Sequence, residues 1–238
     1  MQNGLDLLHG ILYLALLMTR DGALPYLKFP FLGEELWLLP QKAIFLPQRS
    51  ALLLADLHIG KSSHFRQHGI PVSSGVMNQD LSQLDRLYQT YQPDTTYFMG
   101  DLFHSSYNKE WEYFCELVCA WEGKKVLIKG NHDILKSHHY EQAELHVLHQ
   151  AMLGPFLLQH EPLDMVEKVD HYVIAGHVHP GIGLIGGGRQ KLRLPCFHFG
   201  KRQAILPAFG HFTGLYIITP EKEDTIFAVA EGQVLQVQ

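Results

Sequence analysis

Five apolar runs in the chain end in polar residues of the types that bind metal ions. The first run is Ala51–Ala55, which is followed by Asp56 and His58. The others are Tyr97–Met99 before Asp101 and His104, Val126–Ile128 before Asn131, His132 and Asp133, Phe156–Gln159 before His160, and Tyr172–Ala175 before His177 and His179. Short apolar runs bounded by glycine or polar residues predict buried strands. We therefore expect these polar side chains to lie together where the strands end.

Two stretches between the first runs have helical periodicity. Apolar residues recur at three- and four-residue steps from Ser74 to Tyr91 and from Asn108 to Glu122, and Gly123 closes the second stretch. This spacing predicts amphipathic helices. The segment Ser137–Gln150 is polar and rich in histidine, so we expect it to be exposed and partly helical.

Strand-like runs dominate the last third of the chain. They are Leu192–Phe199, Gln203–Leu206, Leu215–Thr219 and Thr225–Val229, after a glycine-rich segment, Gly181–Gly188, that predicts a turn region. Two further runs, Glu35–Leu39 and Ala43–Leu46, precede the first ligand run. Strands that alternate with helices and are then followed by strands alone predict an α/β fold of two packed sheets with helices outside.

The first 30 residues are predicted to be a helical N-terminal extension, and residues 31–238 a single domain. The extension contains an apolar segment, Leu5–Met18, which is short for a membrane span and has no Lys or Arg before it. We therefore expect neither stable membrane insertion nor secretion.

Composition narrows the functional classes only slightly. A hydrophobic fraction of 46% and a charged fraction of 18% are typical of soluble globular proteins. Three cysteines are too few for a disulfide framework, which favours a reducing, cytoplasmic location. The net charge of −5 argues against a protein that coats duplex nucleic acid, although it leaves room for a local positive groove.

The polar residues after the five runs form the donor set of a dinuclear metal centre. The expected ligands are Asp56, His58 and His179 for a first ion and Asn131, His160 and His177 for a second, with Asp101 bridging both. Oxygen and nitrogen donors without thiolate favour Mn²⁺, with Fe or Zn²⁺ as alternatives. Two such ions lower the pKa of a bridging water and stabilise phosphoryl charge during in-line attack, so we expect phosphoester hydrolysis.

Residues beside the ligands suggest further roles. His132 follows the ligand Asn131 and is expected to protonate or stabilise the leaving oxygen. Asp133 either orients the imidazole of His132 or caps a turn, and the sequence leaves both interpretations open. Four more residues are weaker candidates for supporting the ligands or contacting substrate: His104, Lys61, His64 and Arg66.

The same series of motifs is similar to the calcineurin-like metallophosphoesterase superfamily. Four more segments look like the ligase-associated DNA damage response metallophosphoesterases: Leu36–Pro40, Ala55–Lys61, Leu194–Gly200 and Leu206–Gly214. The resemblance implies a four-layer αββα sandwich of two mixed β-sheets flanked by helices, two bound metal ions and phosphoester hydrolysis.

The closer resemblance also implies a substrate and partners. It suggests an endonuclease of DNA repair that acts on single-stranded DNA and associates functionally with a DNA ligase, a nuclease and a helicase. Two alternatives stay open. One is a phosphatase or phosphodiesterase for a small nucleotide or nucleotide-linked metabolite, and the other is a catalytically silent scaffold on the same fold.

Overall fold

Two β-sheets organise the chain in a computed structural model, which describes residues 25–61, 75–104, 107–164, 170–185 and 191–238. The predictions for residues 1–24, and those for His64 and Arg66, lie outside this part of the chain.

The first sheet carries the helices. Its seven strands, in spatial order, are β1 (Leu27–Phe31), β2 (Glu34–Leu39), β3 (Ala43–Leu46), β4 (Ala51–Leu54), β5 (Thr95–Phe98), β6 (Lys124–Ile128) and β7 (Leu145–Leu148). Strands β1 to β4 pair antiparallel, and β4 to β7 pair parallel. The helices are α1 (Gly75–Tyr91), α2 (Lys109–Cys119) and α3 (Ser137–Gln142), and a 3₁₀ turn spans Pro47–Arg49.

The second sheet is built from the rest of the chain. Its strands are β8 (Gln150–Leu153), β9 (Phe156–Gln159), β10 (Tyr172–Ala175), β11 (Pro180–Ile185), β12 (Lys191–Phe199), β13 (Gln203–Ile205), β14 (Tyr216–Ile217), β15 (Thr225–Ala230) and β16 (Gln233–Gln236). They lie in the order β14-β11-β12-β13-β10-β9-β8, while β15 pairs with β12 and β16 with β15. Strand β10 is parallel to both of its neighbours, β9 and β13.

The two faces of β4 explain why this strand is apolar throughout. Leu52 and Leu54 pack in an outer cluster that includes Trp111 of α2. Ala51 and Leu53 pack instead in an inner cluster between the two sheets. Successive side chains of a strand point to opposite faces, so a strand covered on both sides needs no polar alternation.

The prediction of two mixed sheets with helices outside is confirmed. In the described part of the chain, helix side chains pack in the outer cluster, on the first sheet. No helix in this part is both long enough and apolar enough to cross a membrane.

Several element boundaries were predicted wrongly. The segment Gly181–Gly188, expected to be a turn region, begins inside β11. Strand β11 lies between β12 and β14, and a Cβ on Gly181 would be 3.2 Å from the carbonyl oxygen of Leu194 and from the side chain of Ile217. Glycine therefore permits this close strand packing.

The other differences concern where elements begin and end. The sheet starts at Leu27, inside the predicted extension, because β1 pairs along its length with β2. Only Tyr216 and Ile217 of the predicted strand Leu215–Thr219 form a ladder. The segment Ser137–Gln150 contains the edge strand β7 as well as a helix.

Candidate metal centre

The predicted ligands lie where the carboxyl ends of the two sheets meet. Strands β4, β5 and β6 are parallel neighbours, so Asp56, Asp101 and Asn131 follow them at one edge. Strands β9 and β10 of the second sheet are also parallel and lead into His160 and His177. Backbone hydrogen bonds fix these ends, with Asp56 N–H donating to Gly100 O at 3.1 Å and Gly176 N–H donating to His160 O at 3.0 Å.

One group of side chains comprises Asp56, His58 and His179. One ligand atom from each lies within 4.8 Å of the others. The Nε2 atoms of His58 and His179 are 3.1 Å apart, and His179 Nε2 is 3.5 Å from Asp56 Oδ1. Asp56 and His58 are buried, whereas His179 is half-buried. These residues are the set that the sequence assigns to the first ion.

A second group comprises Asp101, His160 and His177, and its ligand atoms meet the same 4.8 Å limit. His160 Nε2 is the common neighbour. It lies 3.1 Å from His177 Nδ1, 3.4 Å from Asp101 Oδ1 and 3.2 Å from Asn131 Oδ1. His177 and Asn131 are exposed, so this group opens to solvent. It contains His160 and His177, which the sequence assigns to the second ion together with Asn131, and Asp101, the predicted bridge.

Asp101 lies between the two groups. Its Oδ1 is 3.4 Å from His160 Nε2, and its Oδ2 is 3.9 Å from His58 Nε2. One carboxylate oxygen therefore faces each group, which is the arrangement that a bridging ligand requires.

The donor chemistry fits divalent cations. Burial, followed by the positive charge of Lys61, lowers the pKa of His58 to about 2, so its imidazole is neutral at physiological pH. The carboxylates of Asp56 and Asp101 are buried beside it. Buried anions need a positive partner, and neutral imidazole nitrogens mixed with carboxylate oxygens suit Mn²⁺, Fe or Zn²⁺.

Hydrogen bonds to the other atoms of the candidate ligands orient them. His160 Nδ1 is 2.9 Å from Met99 O, which can only accept, so Nδ1 carries the proton and Nε2 is left to bind a cation. The backbone N–H of His177 donates to Asp56 Oδ2 at 2.9 Å, and that of His132 donates to Asp101 Oδ1 at 3.0 Å.

The backbone at the centre adopts an uncommon conformation. Five candidate ligands have φ in the left-handed region: Asp56 (56°), His58 (50°), Asp101 (50°), His177 (70°) and His179 (54°). Non-glycine residues adopt this conformation rarely, and such residues concentrate at functional sites.

Glycines beside the ligands allow close approach. A Cβ on Gly100, whose φ is +81°, would lie 2.1 Å from His160 Nδ1. A Cβ on Gly176 would lie 2.7 Å from Asp56 Oδ2. The glycines that end these apolar runs therefore make room for ligands arriving from other strands.

His104 and His132 lie beside the first group. His104 Nδ1 is 3.2 Å from His58 Nδ1, and the rings of His104 and His132 have centroids 3.9 Å apart. The ring centroid of His132 is 5.9 Å from that of His58. Both histidines are half-buried, so they line the mouth of the centre.

The contacts of Asp133 favour the turn-capping interpretation. Its carboxylate accepts backbone N–H bonds from Leu102 at 2.9 Å, Phe103 at 3.2 Å and Gly130 at 2.8 Å. Burial raises its pKa to about 6 despite these bonds. Asp133 thus ties the loop after β5 to the loop after β6, which carry Asp101 and Asn131.

The sequence missed one pair beside the centre. His211 contacts the buried carboxylate of Asp80 through both its backbone N–H and its ring Nδ1. Asp80 lies in α1, and His211 lies in a loop near the carboxyl end of the chain. The two are 131 residues apart, and no pattern in the sequence links them.

The comparisons with known proteins decide the family. The model of the calcineurin-like phosphoesterases matches residues 50–227. The chain belongs to this family. It is therefore a metal-dependent phosphoesterase with the metallophosphoesterase fold, and the two groups described above are its candidate sites for the divalent metals that the family uses.

One solved structure is similar along nearly the whole chain. The nuclease MPE from Pseudomonas putida is 35% identical, with a TM-score of 0.76, and the match covers 90% of this chain and 100% of that chain.

Two other solved structures are much more distant. A protein of unknown function from Aquifex aeolicus is 20% identical over 54% of this chain and 78% of its own, with a TM-score of 0.40. A phosphoesterase from E. coli is 12% identical over 79% of this chain and 97% of its own, with a TM-score of 0.38. TM-scores this low support no argument about this chain. No curated protein sequence matches it.

Proposed function

We propose that the chain is a dinuclear nuclease that cleaves phosphodiester bonds of single-stranded DNA in DNA repair. The main support is that two ligand groups share Asp101, in a chain 35% identical to a nuclease. The earlier predictions of a cytoplasmic location and of functional association with a DNA ligase, a nuclease and a helicase belong to this proposal.

The proposed ligands are Asp56, His58 and His179 for one ion, Asn131, His160 and His177 for the other, and Asp101 for both. Two divalent ions, Mn²⁺ in this proposal, would supply charge stabilisation to the phosphoryl group and activate water. The protein holds the two ligand groups at a fixed separation through Asp101. Buried walls on β4 and β5 exclude bulk water from one side of the centre.

His132 is the proposed proton donor to the leaving oxygen. Its backbone N–H is anchored on Asp101 Oδ1, which sets the position of the side chain relative to both groups. The ring of His104 packs against that of His132 and limits its rotation. A histidine placed in this way passes its proton to the departing alkoxide as the P–O bond breaks.

Clefts on both sides of the centre support an extended substrate. A cleft of about 800 Å³ borders the second group, where its lining includes Asn131, His160, Lys129 and His149. Another of about 360 Å³ is lined by residues that include His211 and Lys61, which follows the ligand His58 by three residues. A nucleic acid strand passing through the centre would occupy both.

A small nucleotide ester is the second candidate. The larger cleft has the volume of a typical small-molecule site, and the net charge of −5 offers no general attraction to a polyanion.

A substrate panel separates these possibilities. Single-stranded DNA, duplex DNA, cyclic nucleotides and nucleotide sugars are each assayed with Mn²⁺, Fe²⁺ and Zn²⁺, with Asp101→Asn as the inactive control. The nuclease proposal predicts that single-stranded DNA gives the highest kcat/KM and that its binding weakens steeply with salt. Preference for a nucleotide sugar or a cyclic nucleotide, with little salt dependence, would favour the second candidate. No turnover of any substrate with any of the metals would favour the scaffold.

A further inference from the structure

The cleft beside the first ligand group has features of an anion site. Its lining residues are Lys61, His211, Phe212, Thr213 and Gly214. The backbone N–H of Lys61 donates to His58 O at 3.2 Å, and that of Gly210, the residue before His211, donates to Asp56 O at 3.2 Å. The backbone segments that carry Lys61 and His211 are therefore bonded to those of His58 and Asp56.

Asp80 fixes the ring of His211. The backbone N–H of His211 donates to Asp80 Oδ1 at 3.2 Å and Oδ2 at 3.3 Å, and the ring Nδ1 contacts the same carboxylate. An ionised carboxylate accepts only, so Nδ1 carries a proton. Nε2, across the ring from Nδ1, is then the atom available to the cleft, and in the protonated ring it donates to an anion.

Two lysines lie at this cleft or close to it. Lys61 is half-buried, and burial lowers its pKa while Asp101 and Asp56 raise it. Lys42 lies behind the loop, where its Nζ donates to Gly210 O at 3.3 Å. Asp80 interacts with Lys42 and is in contact with His211.

We propose that Lys61 and His211 bind a second, non-scissile phosphate of the substrate, next to the phosphate that is cleaved. The proposal rests on the proposed function, because it requires a substrate with at least two phosphates. A phosphate ion has oxygens for both an ammonium and an imidazolium donor, and such charge-assisted bonds are the stronger class. The plain alternative is that His211 and Asp80 only tie α1 to the loop.

Matched substrates isolate the second phosphate. Thymidine 5′-(4-nitrophenyl phosphate) is compared with the same ester bearing a 3′-phosphate, and thymidine 3′-(4-nitrophenyl phosphate) with the same ester bearing a 5′-phosphate. The measured quantity is the gain in kcat/KM from the added phosphate. The effect of the added phosphate on binding is measured without turnover, by comparing the dissociation constant of thymidine 3′,5′-bisphosphate with those of the two monophosphates.

The variants are Lys61→Met, His211→Asn and the control His198→Asn. His198 Nε2 lies 2.8 Å from Asp224 Oδ2, so these two residues form a His–Asp pair like that of His211 and Asp80. His198 lines neither of the two clefts described above, which makes it a suitable control. Because His211→Asn leaves Asp80 without its imidazole partner, thermal unfolding is measured for every variant. Lys61→Met leaves that pair intact and stays informative if His211→Asn unfolds.

In the wild type, the added phosphate should raise kcat/KM on the order of tenfold in one of the two ester series. Lys61→Met and His211→Asn should each lose most of this gain, and His198→Asn should keep it. No gain in either series would overturn the proposal, as would a gain that both variants retain. A gain that depends on Lys61 and His211, in a protein that leaves DNA strands uncut, would keep the phosphate site and reject the nuclease proposal.

Discussion

Substituting Gly100 with alanine tests how closely the two sheets must approach to assemble the centre. At φ of +81°, alanine adopts the left-handed conformation at a cost of ~1–2 kcal/mol. Its Cβ would also lie 2.1 Å from His160 Nδ1, far inside an ordinary contact of ~3.5–4.0 Å, so His160 must move by more than ~1 Å. Displacing a packed side chain costs a further ~1–3 kcal/mol, which gives a total loss of ~2–5 kcal/mol.

Gly33 provides the matched control. Its φ is +83°, and a Cβ there would meet no atom within 4 Å, so Gly33→Ala carries the backbone cost without the displacement. Urea unfolding of the metal-free variants measures both costs. The number of metal ions bound per chain then shows whether the second ligand group is intact, because a shift of His160 moves its Nε2 from the position 3.4 Å from Asp101 Oδ1.

The expected outcome is that Gly33→Ala keeps the metal content and activity of the wild type, whereas Gly100→Ala loses the second ion and most activity. The reasoning would be refuted if Gly100→Ala bound two ions and hydrolysed substrate at the wild-type rate. It would also fail if the two variants lost the same stability.

Three further predictions address other parts of the structure. His104→Ala should weaken binding of the first Mn²⁺ by roughly 10–100-fold, because the ring beside His58 Nδ1 is lost. His104→Asn should retain part of the lost affinity. Calorimetry that shows an equal loss of affinity for both ions would contradict this prediction. Burial lowers the pKa of Lys42 to about 8 in the folded state, so the unfolded chain binds more protons between pH 8 and 10.5. Stability should therefore rise with pH in that window by up to ~3 kcal/mol. Lys42→Met should flatten this rise in urea unfolding, and an unchanged slope would refute the assignment. Chelation should abolish hydrolysis and lower Tm, because Asp56 and Asp101 then stay buried without a cation; calorimetric scans before and after adding Mn²⁺ back test this, and unchanged activity after chelation would contradict it.

The first ligand-bearing strand, β4, could be predicted because both of its faces are buried. Leu52, Leu53 and Leu54 leave no polar position in β4, so the first polar residue after it marks the sheet edge. Strands β6 and β10 also end in fully buried apolar residues, whereas β5 and β9 alternate buried and half-buried positions. Parallel pairing then brings Asp56, Asp101 and Asn131 together.

Other features depend on contacts between segments distant in sequence. Gly181 indicates a turn when considered alone, and only its neighbours Leu194 and Ile217 explain a glycine inside a strand. The pair of Asp80 and His211 joins a helix to a loop near the carboxyl end of the chain. The two residues are far apart in the sequence, so the spacing of residues within either segment does not predict their contact.

The positive φ angles of the ligands have the same origin. Asp56 and His177 reach this conformation through tertiary hydrogen bonds, as when the backbone N–H of His177 donates to Asp56 Oδ2. The left-handed region is uncommon for residues other than glycine, although Asp and His adopt it more often than most. Long-range packing therefore fixes the detailed geometry of the centre.

The central claim is that two cations bind between these strand ends, and anomalous diffraction at the manganese edge from crystals grown with Mn²⁺ tests it most directly. The account predicts two anomalous peaks, one coordinated by Asp56, His58 and His179 and the other by Asn131, His160 and His177, with Asp101 contacting both. A map with no peak at these residues, or with manganese bound only elsewhere, would contradict it.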